Sequence, residues 1–271
     1  GENERIWNAL QKFCERDTEA FVAYYNSPIL RFVSEAWLGP FFQMTSQVNI
    51  IKPGGQAQQP HRDYHLGFQD DSLISEFPVA SQINSQFLTL QGAVAHTDMK
   101  TSSGPTLLLP FSQQYQLGYM AWRNPEFIEY FQNNCVQLPL KKGDAAFFSP
   151  ALFHAGGNNT ESSDRIANLL QISSAFAKAM ESVDRAKMTK LIYPVLLAGK
   201  QAKLLSADET KTVAASVVEG YPFPTNLDSD SPMEGSAPET VQALMERALS
   251  EEWSVDRFCD CLDEATKRRL A

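Results

Sequence analysis

The chain predicts a mainly β core with flanking helices, an antiparallel barrel or jelly roll in architecture. Three observations carry that reading. Apolar residues recur at helical spacing toward both ends of the sequence. The middle breaks instead into short apolar runs of strand length. Turn residues punctuate those runs: Ser102-Ser103-Gly104-Pro105, Lys142-Gly143-Asp144 and Gly156-Gly157-Asn158-Asn159.

In chain order, Ile6, Trp7, Leu10, Phe13, Cys14, Phe21 and Val22 predict a helix over residues 6–25. A second helix is expected over 29–38, ahead of Gly39-Pro40. Residues 44–51 read as the first strand, broken by Pro53-Gly54-Gly55; residues 87–97, 106–109, 145–148 and 166–174 read as further strands. Residues 64–86 form a long insertion, expected to be mobile and to cover a site. Trp122-Arg123-Asn124-Pro125 opens a helix between core strands. Helical patterns resume over 182–197 and 207–218, a loop connects 220–238, and helices follow over 240–249 and 255–270. A single domain spanning 1–271 is expected, with N-terminal helices (1–43), a β core (44–176) and a C-terminal helical region (177–271).

Composition narrows the partners. Among 271 residues, Lys and Arg number 23 against 32 Asp and Glu, a net charge of -9 that disfavours a polyanion such as nucleic acid. Four scattered cysteines do not make a disulfide framework, so reduced thiols and a cytoplasmic location are expected. No apolar run approaches the ~20 residues of a membrane span, so no membrane partner is expected.

The chemistry lies in His61-Arg62-Asp63, His154 and Arg165. In extended backbone, residues i and i+2 point to one side, so His61 and Asp63 can face a common ion while Arg62 turns away. His154 follows the apolar run 145–148 and precedes a Gly/Asn turn, and a hairpin there would put it beside Arg165. Two imidazoles and a carboxylate match the donor set of the facial triad of non-haem iron sites. Arg165 would be buried at the barrel mouth, and a buried guanidinium calls for an anion such as a dicarboxylate. The spacing leaves a plainer alternative open, in which His61 is a loop residue and His154 a core histidine bonded to backbone. Tyr64, His65 and Phe68 follow the first pair; Phe68 is expected to pack in the core or over a bound cosubstrate, and the other two to border a cavity or an ordered loop.

Local sequence weighs against that alternative. Gln59-Pro60-His61-Arg62-Asp63-Tyr64-His65, then Asp98 with 103–113 (Ser-Gly-Pro-Thr-Leu-Leu-Leu-Pro-Phe-Ser-Gln), then 142–148 through His154-Ala155-Gly156-Gly157-Asn158, resemble the three conserved blocks of the phytanoyl-CoA dioxygenase family. The arginine eleven residues past the distal histidine also matches. The resemblance covers about residues 45–176 and implies a double-stranded β-helix of cupin-like type. It also implies an Fe(II)- and 2-oxoglutarate-dependent dioxygenase that uses O2, hydroxylates a small-molecule substrate and releases succinate and CO2. His61, Asp63 and His154 would be its metal ligands and catalytic centre, and Arg165 would hold the distal carboxylate of 2-oxoglutarate. Asn49, Thr106 and Ser173 are further candidates for cosubstrate contacts. Phe111 and Gln113 depart from the family's usual Gly and His, and Gly156 stands where several members carry Ser. The competing expectation is a cupin-like metal-binding protein without oxygenase activity: a sensor, isomerase or scaffold.

Overall fold

The structure is a computed structural model that describes residues 3–232 and 237–270. Its first half runs β1 (Asn3–Ile6), α1 (Ala9–Arg16), α2 (Thr18–Tyr25), α3 (Pro28–Leu38), β2 (Gln43–Ile51), α4 (Asp71–Glu76), α5 (Val79–Ser85) and β3 (Thr89–Ala95). Next come β4 (Leu107–Leu108), α6 (Gly118–Ala121), α7 (Pro125–Asn134), β5 (Val136–Gln137), β6 (Ala145–Phe148), β7 (His154–Ala155) and β8 (Arg165–Ser173). The chain closes with α8 (Arg185–Gln201), α9 (Ala207–Val217), α10 (Val241–Ser250) and α11 (Val255–Arg269).

These elements gather into two compact units. One comprises Gly1–Ala9 with Thr45–Met180 and holds the sheets; the other comprises Leu10–Met44 with Glu181–Ala271 and is helical. The helical unit is organised around α8, which packs on α2, α9 and α11. Tyr193 of α8 stacks on Phe258 of α11 at 3.9 Å, and its hydroxyl donates to the Trp253 carbonyl at 2.8 Å. Lys267, Arg268 and Arg269 fall in the last turn of α11, where cations meet the negative end of the helix dipole.

The β unit contains a five-stranded sheet, ordered β1-β2-β8-β3-β6, in which the β1–β2, β8–β3 and β3–β6 pairs are antiparallel, and a three-stranded antiparallel sheet, ordered β5-β4-β7. The strand periodicity places Gln91, Ala93 and Ala95 opposite Gln171, Leu169 and Ala167 across β3 and β8, and Phe148 and Ala146 opposite Gln91 and Ala93 across β3 and β6. These residues share one face of the large sheet, and that face fronts the site.

Several expectations change. The helix expected over 6–25 is two helices preceded by a strand. Asp17 caps α2 by accepting from the Ala20 N–H, which ends α1 one residue earlier, and Asn8 takes a positive φ of 54° between β1 and α1. Residues 64–86, expected as an insertion over a site, hold two short helices; Asp70 caps α4, and Arg123 ties Asp71 and the Gln69 carbonyl. Phe68 is 59% exposed and does not pack in the core. The hairpin expected between His154 and Arg165 is also replaced, since β7 and β8 lie in different sheets. The Gly/Asn turn serves as a crossover, with buried Asn159 donating to the carbonyls of Ile51 and Ser163, 2.9 Å each. No helix among the described residues is long and apolar enough to cross a membrane.

Candidate metal centre

His61 adjoins the smaller sheet of the β unit. This residue is not part of a ladder; it forms a single antiparallel bridge with His154, with both backbone bonds at 2.9 and 3.0 Å. The Asp63 N–H then donates to the Pro150 carbonyl at 3.1 Å, so the segment stays extended and both side chains face the same way. Arg62 does turn away, as the alternation requires. It is fully buried, donates to the carbonyls of Ser112 and Tyr115, and lies 5.1 Å from the ring centroids of both Tyr119 and Phe153. Gly118 makes room for it: a Cβ there would sit 1.9 Å from the guanidinium carbon.

The three predicted ligands converge. His61 Nε2 lies 3.4 Å from Asp63 Oδ1, and His154 Nε2 lies 3.3 Å from Asp63 Oδ2. All three donor atoms lie within 4.8 Å of one another. The other ring nitrogens decide the tautomers. His61 Nδ1 meets the Gln59 carbonyl at 2.7 Å and His154 Nδ1 meets the Leu152 carbonyl at 2.9 Å. A carbonyl only accepts, so each Nδ1 carries the proton and each Nε2 turns a lone pair inward. Two imidazole lone pairs and a carboxylate facing one point repel unless a cation sits among them.

Burial holds the His61 imidazole below its usual pKa, and a charge on His154 would lower it further. Burial alone would raise the Asp63 carboxyl; the Gln91 amide, and a protonated His154 or His61 whenever either ring carries a charge, would hold it well below the usual carboxylate range. Gln91 Nε2 donates to Asp63 Oδ2 at 2.5 Å and sets the carboxylate plane. Phe148 packs edge-on to the His154 ring at 5.0 Å. The donor set therefore fits a divalent metal.

A cavity of about 60 Å³ opens from this point between the sheets, lined by the triad, Arg5, Asn49, Gln58, Gln91, Thr106, Phe148, Gly156, Arg165 and Gln171 among others. Arg165 stands in it 5% exposed, donating to the Gly104 carbonyl and, at 2.7 Å, to Asn49 Oδ1. Burial lowers its pKa to about 10, and the charge of Arg5 adds to the shift. Gly104 adopts φ 74° and has the Gly157 carbonyl 2.3 Å from where a Cβ would be, so glycine is required to present that carbonyl to Arg165. Of the predicted cosubstrate residues, Asn49 and Thr106 line the cavity. Ser173 is buried elsewhere and donates to the Lys178 carbonyl at 3.1 Å. Beside Gly156, whose N–H bonds Gln58 Oε1 at 2.9 Å, the Gln58 amide fills the space a larger side chain would take.

Sequence reasoning missed Arg5, Gln58 and Gln91. Gln91 and Gln171 are inward positions of expected strands, so a polar residue there was a usable signal. Arg5 fell just outside the expected helix, and nothing nearby marks β1 as a strand.

The dioxygenase cdmD of Talaromyces verruculosus is 25% identical over 144 residues, a match that takes in 53% of this chain and 43% of that protein. The chain thus spans less than half the length of that curated relative. Among solved structures, EctD from S. alaskensis with bound Fe shows 16% identity, coverage of 65% of this chain and 59% of that one, and a TM-score of 0.49. The carbocyclase SnoK from nogalamycin biosynthesis shows 17% identity, 70% coverage of each chain and a TM-score of 0.47. The family profile described as phytanoyl-CoA dioxygenase (PhyH) matches residues 8–167, more than half of the sequence and a span that includes His61, Asp63 and His154. The chain belongs to the phytanoyl-CoA dioxygenase family.

Proposed function

We propose that the protein is an Fe(II)- and 2-oxoglutarate-dependent oxygenase that hydroxylates a small organic substrate. One observation carries the reading: three inward lone-pair donors and a buried guanidinium without a carboxylate partner among the described residues line the same cavity. Family membership supports the same cofactor pair.

In this reading His61 Nε2, Asp63 and His154 Nε2 hold the metal. When bound, Fe(II) with 2-oxoglutarate and O2 supplies the oxidising power, and succinate and CO2 leave as coproducts. The protein's own part is placement and exclusion. The two Nδ1–carbonyl bonds fix ring orientation, and Gln91 fixes the carboxylate. Arg165, held by Asn49 and the Gly104 carbonyl, presents its fork to the distal carboxylate of the cosubstrate, while Thr106 lines the same wall. Phe148, Leu169 and Leu170 keep that part of the cavity apolar, which strengthens the charge contacts.

The test is conversion of 2-oxoglutarate to succinate by protein loaded anaerobically with Fe(II) and then exposed to O2 with a metabolite panel. Stimulated turnover that is lost in Asp63→Ala supports the reading. Metal binding without 2-oxoglutarate affinity would point instead to a cupin-like metal-binding protein with another role.

A further inference from the structure

A second guanidinium enters the cavity from a segment outside the family-profile match. Arg5 lies on β1, directly opposite Asn49 on β2, and paired residues of antiparallel strands share a face. Its side chain therefore lines the cavity beside Asn49, Arg165 and the triad. It is held in place rather than free. Nη1 donates to Gln47 Oε1 at 2.9 Å, Gln47 Nε2 donates to Gln171 Oε1 at 2.9 Å, and the guanidinium lies 5.5 Å from the Trp7 ring.

These holders are neutral. Among the described residues no carboxylate is in ion-pair contact with Arg5, although its charge acts on Asp63, His61 and Arg165. Burial lowers its pKa, with Asp63 partly offsetting this. A half-buried cation with amide holders is stabilised by an anion. If the oxygenase reading holds, the balance of charge identifies which anion. A divalent metal and a dianionic cosubstrate cancel. Asp63 offsets one arginine. Arg165 serves the distal carboxylate and the metal the proximal one, so one positive charge, that of Arg5, is left over.

We propose that Arg5 is a specificity-determining residue that binds a carboxylate of the organic substrate next to the metal ligands, so that the substrate is a carboxylic acid. The inference rests on the oxygenase reading. It also places the oxidised carbon within a few bonds of the acid group, because Arg5 and the ligands share one small cavity.

Calorimetry on protein loaded with Ni(II), which supports no turnover, tests this in two stages. First, 2-oxoglutarate is titrated into the wild type, Arg5→Gln, Arg5→Lys and Arg165→Gln. Then acetate, butyrate and benzoate are titrated into the cosubstrate complex, each against its matched amide. The expected result is that the acids bind and the amides do not. Arg5→Gln should weaken the acids about tenfold or more while leaving 2-oxoglutarate within about twofold, and Arg5→Lys should recover part of the loss. Melting curves check that β1 stays docked. Equal binding of acids and amides, or no binding of either, overturns the proposal. So does an Arg5→Gln loss of 2-oxoglutarate affinity as large as that of Arg165→Gln, which would assign Arg5 to the cosubstrate. Failure of the wild type to bind 2-oxoglutarate in the first stage overturns the oxygenase reading itself, and this inference with it.

Discussion

Replacing Arg165 with Gln removes a cation while keeping a polar side chain of moderate length. In the structure the guanidinium spends one N–H on the Gly104 carbonyl and another, at 2.7 Å, on Asn49 Oδ1. Nε is buried without a partner, leaving donor capacity for a ligand. A hydrogen bond to an ionised group contributes about 1.5–3 kcal/mol, so loss of a forked contact to a carboxylate should cost roughly 3 kcal/mol, or about 150-fold in Kd. The assay is 2-oxoglutarate binding to Ni(II)-loaded protein, run beside 2-oxobutyrate, which keeps the metal-chelating end but lacks the distal carboxylate. The 2-oxobutyrate Kd should move by less than about threefold, since the lost contact is not one it makes. Arg165→Lys should fall between, keeping the charge but not the fork. Equal weakening of both ligands would mean that the substitution disturbs the whole pocket. An unchanged 2-oxoglutarate Kd would refute the role of Arg165.

Three further outcomes follow from the same geometry. Gln91→Leu removes the amide that orients Asp63 and should weaken metal affinity about 10- to 100-fold in a competitive chelator titration, with little change in fold. Arg62→Met removes the donor that ties the carbonyls of Ser112 and Tyr115 together, and should lower unfolding free energy by roughly 2–4 kcal/mol in urea melts while leaving His61, Asp63 and His154 present. Burial raises the Cys14 thiol pKa to about 12, leaving on the order of one thiolate in 10⁴ at pH 8. Alkylation of the folded protein at that pH should therefore spare Cys14 and modify the half-buried Cys135, Cys259 and Cys261, with Cys14 reacting once denaturant is added.

What was legible in the sequence follows from which interactions are local. His61 and Asp63 are two residues apart in extended backbone, so their common direction is a property of the chain itself, and a third candidate ligand of the right type was easy to find among four histidines. Strands β2, β3, β6 and β8 were legible because alternation and turn residues are local signals. The partner sheet of His154 was not. A Gly/Asn-rich turn closes a hairpin or crosses between sheets equally well, and the choice is made by long-range bonds such as those of Asn159 to Ile51 and Ser163. Helix 6–25 failed for a related reason. Its apolar spacing continues across Asp17, but the carboxylate gains more by capping α2 than by sitting inside a longer helix. The first short helix within 64–86 is also tied by Arg123, which is distant in sequence from Asp71. Arg5 is the largest omission, because β1 is four residues long and becomes a strand only by pairing with β2.

The central claim is that His61, Asp63 and His154 form one metal site. The most direct measurement is the stoichiometry of Fe(II) or Co(II) bound anaerobically to the wild type and to His61→Ala, Asp63→Ala and His154→Ala, with folding checked by circular dichroism. One ion per wild-type chain, and loss of tight binding in each folded variant, is the predicted result. A wild type that binds no metal, or any one variant that binds it with undiminished affinity, would contradict the account.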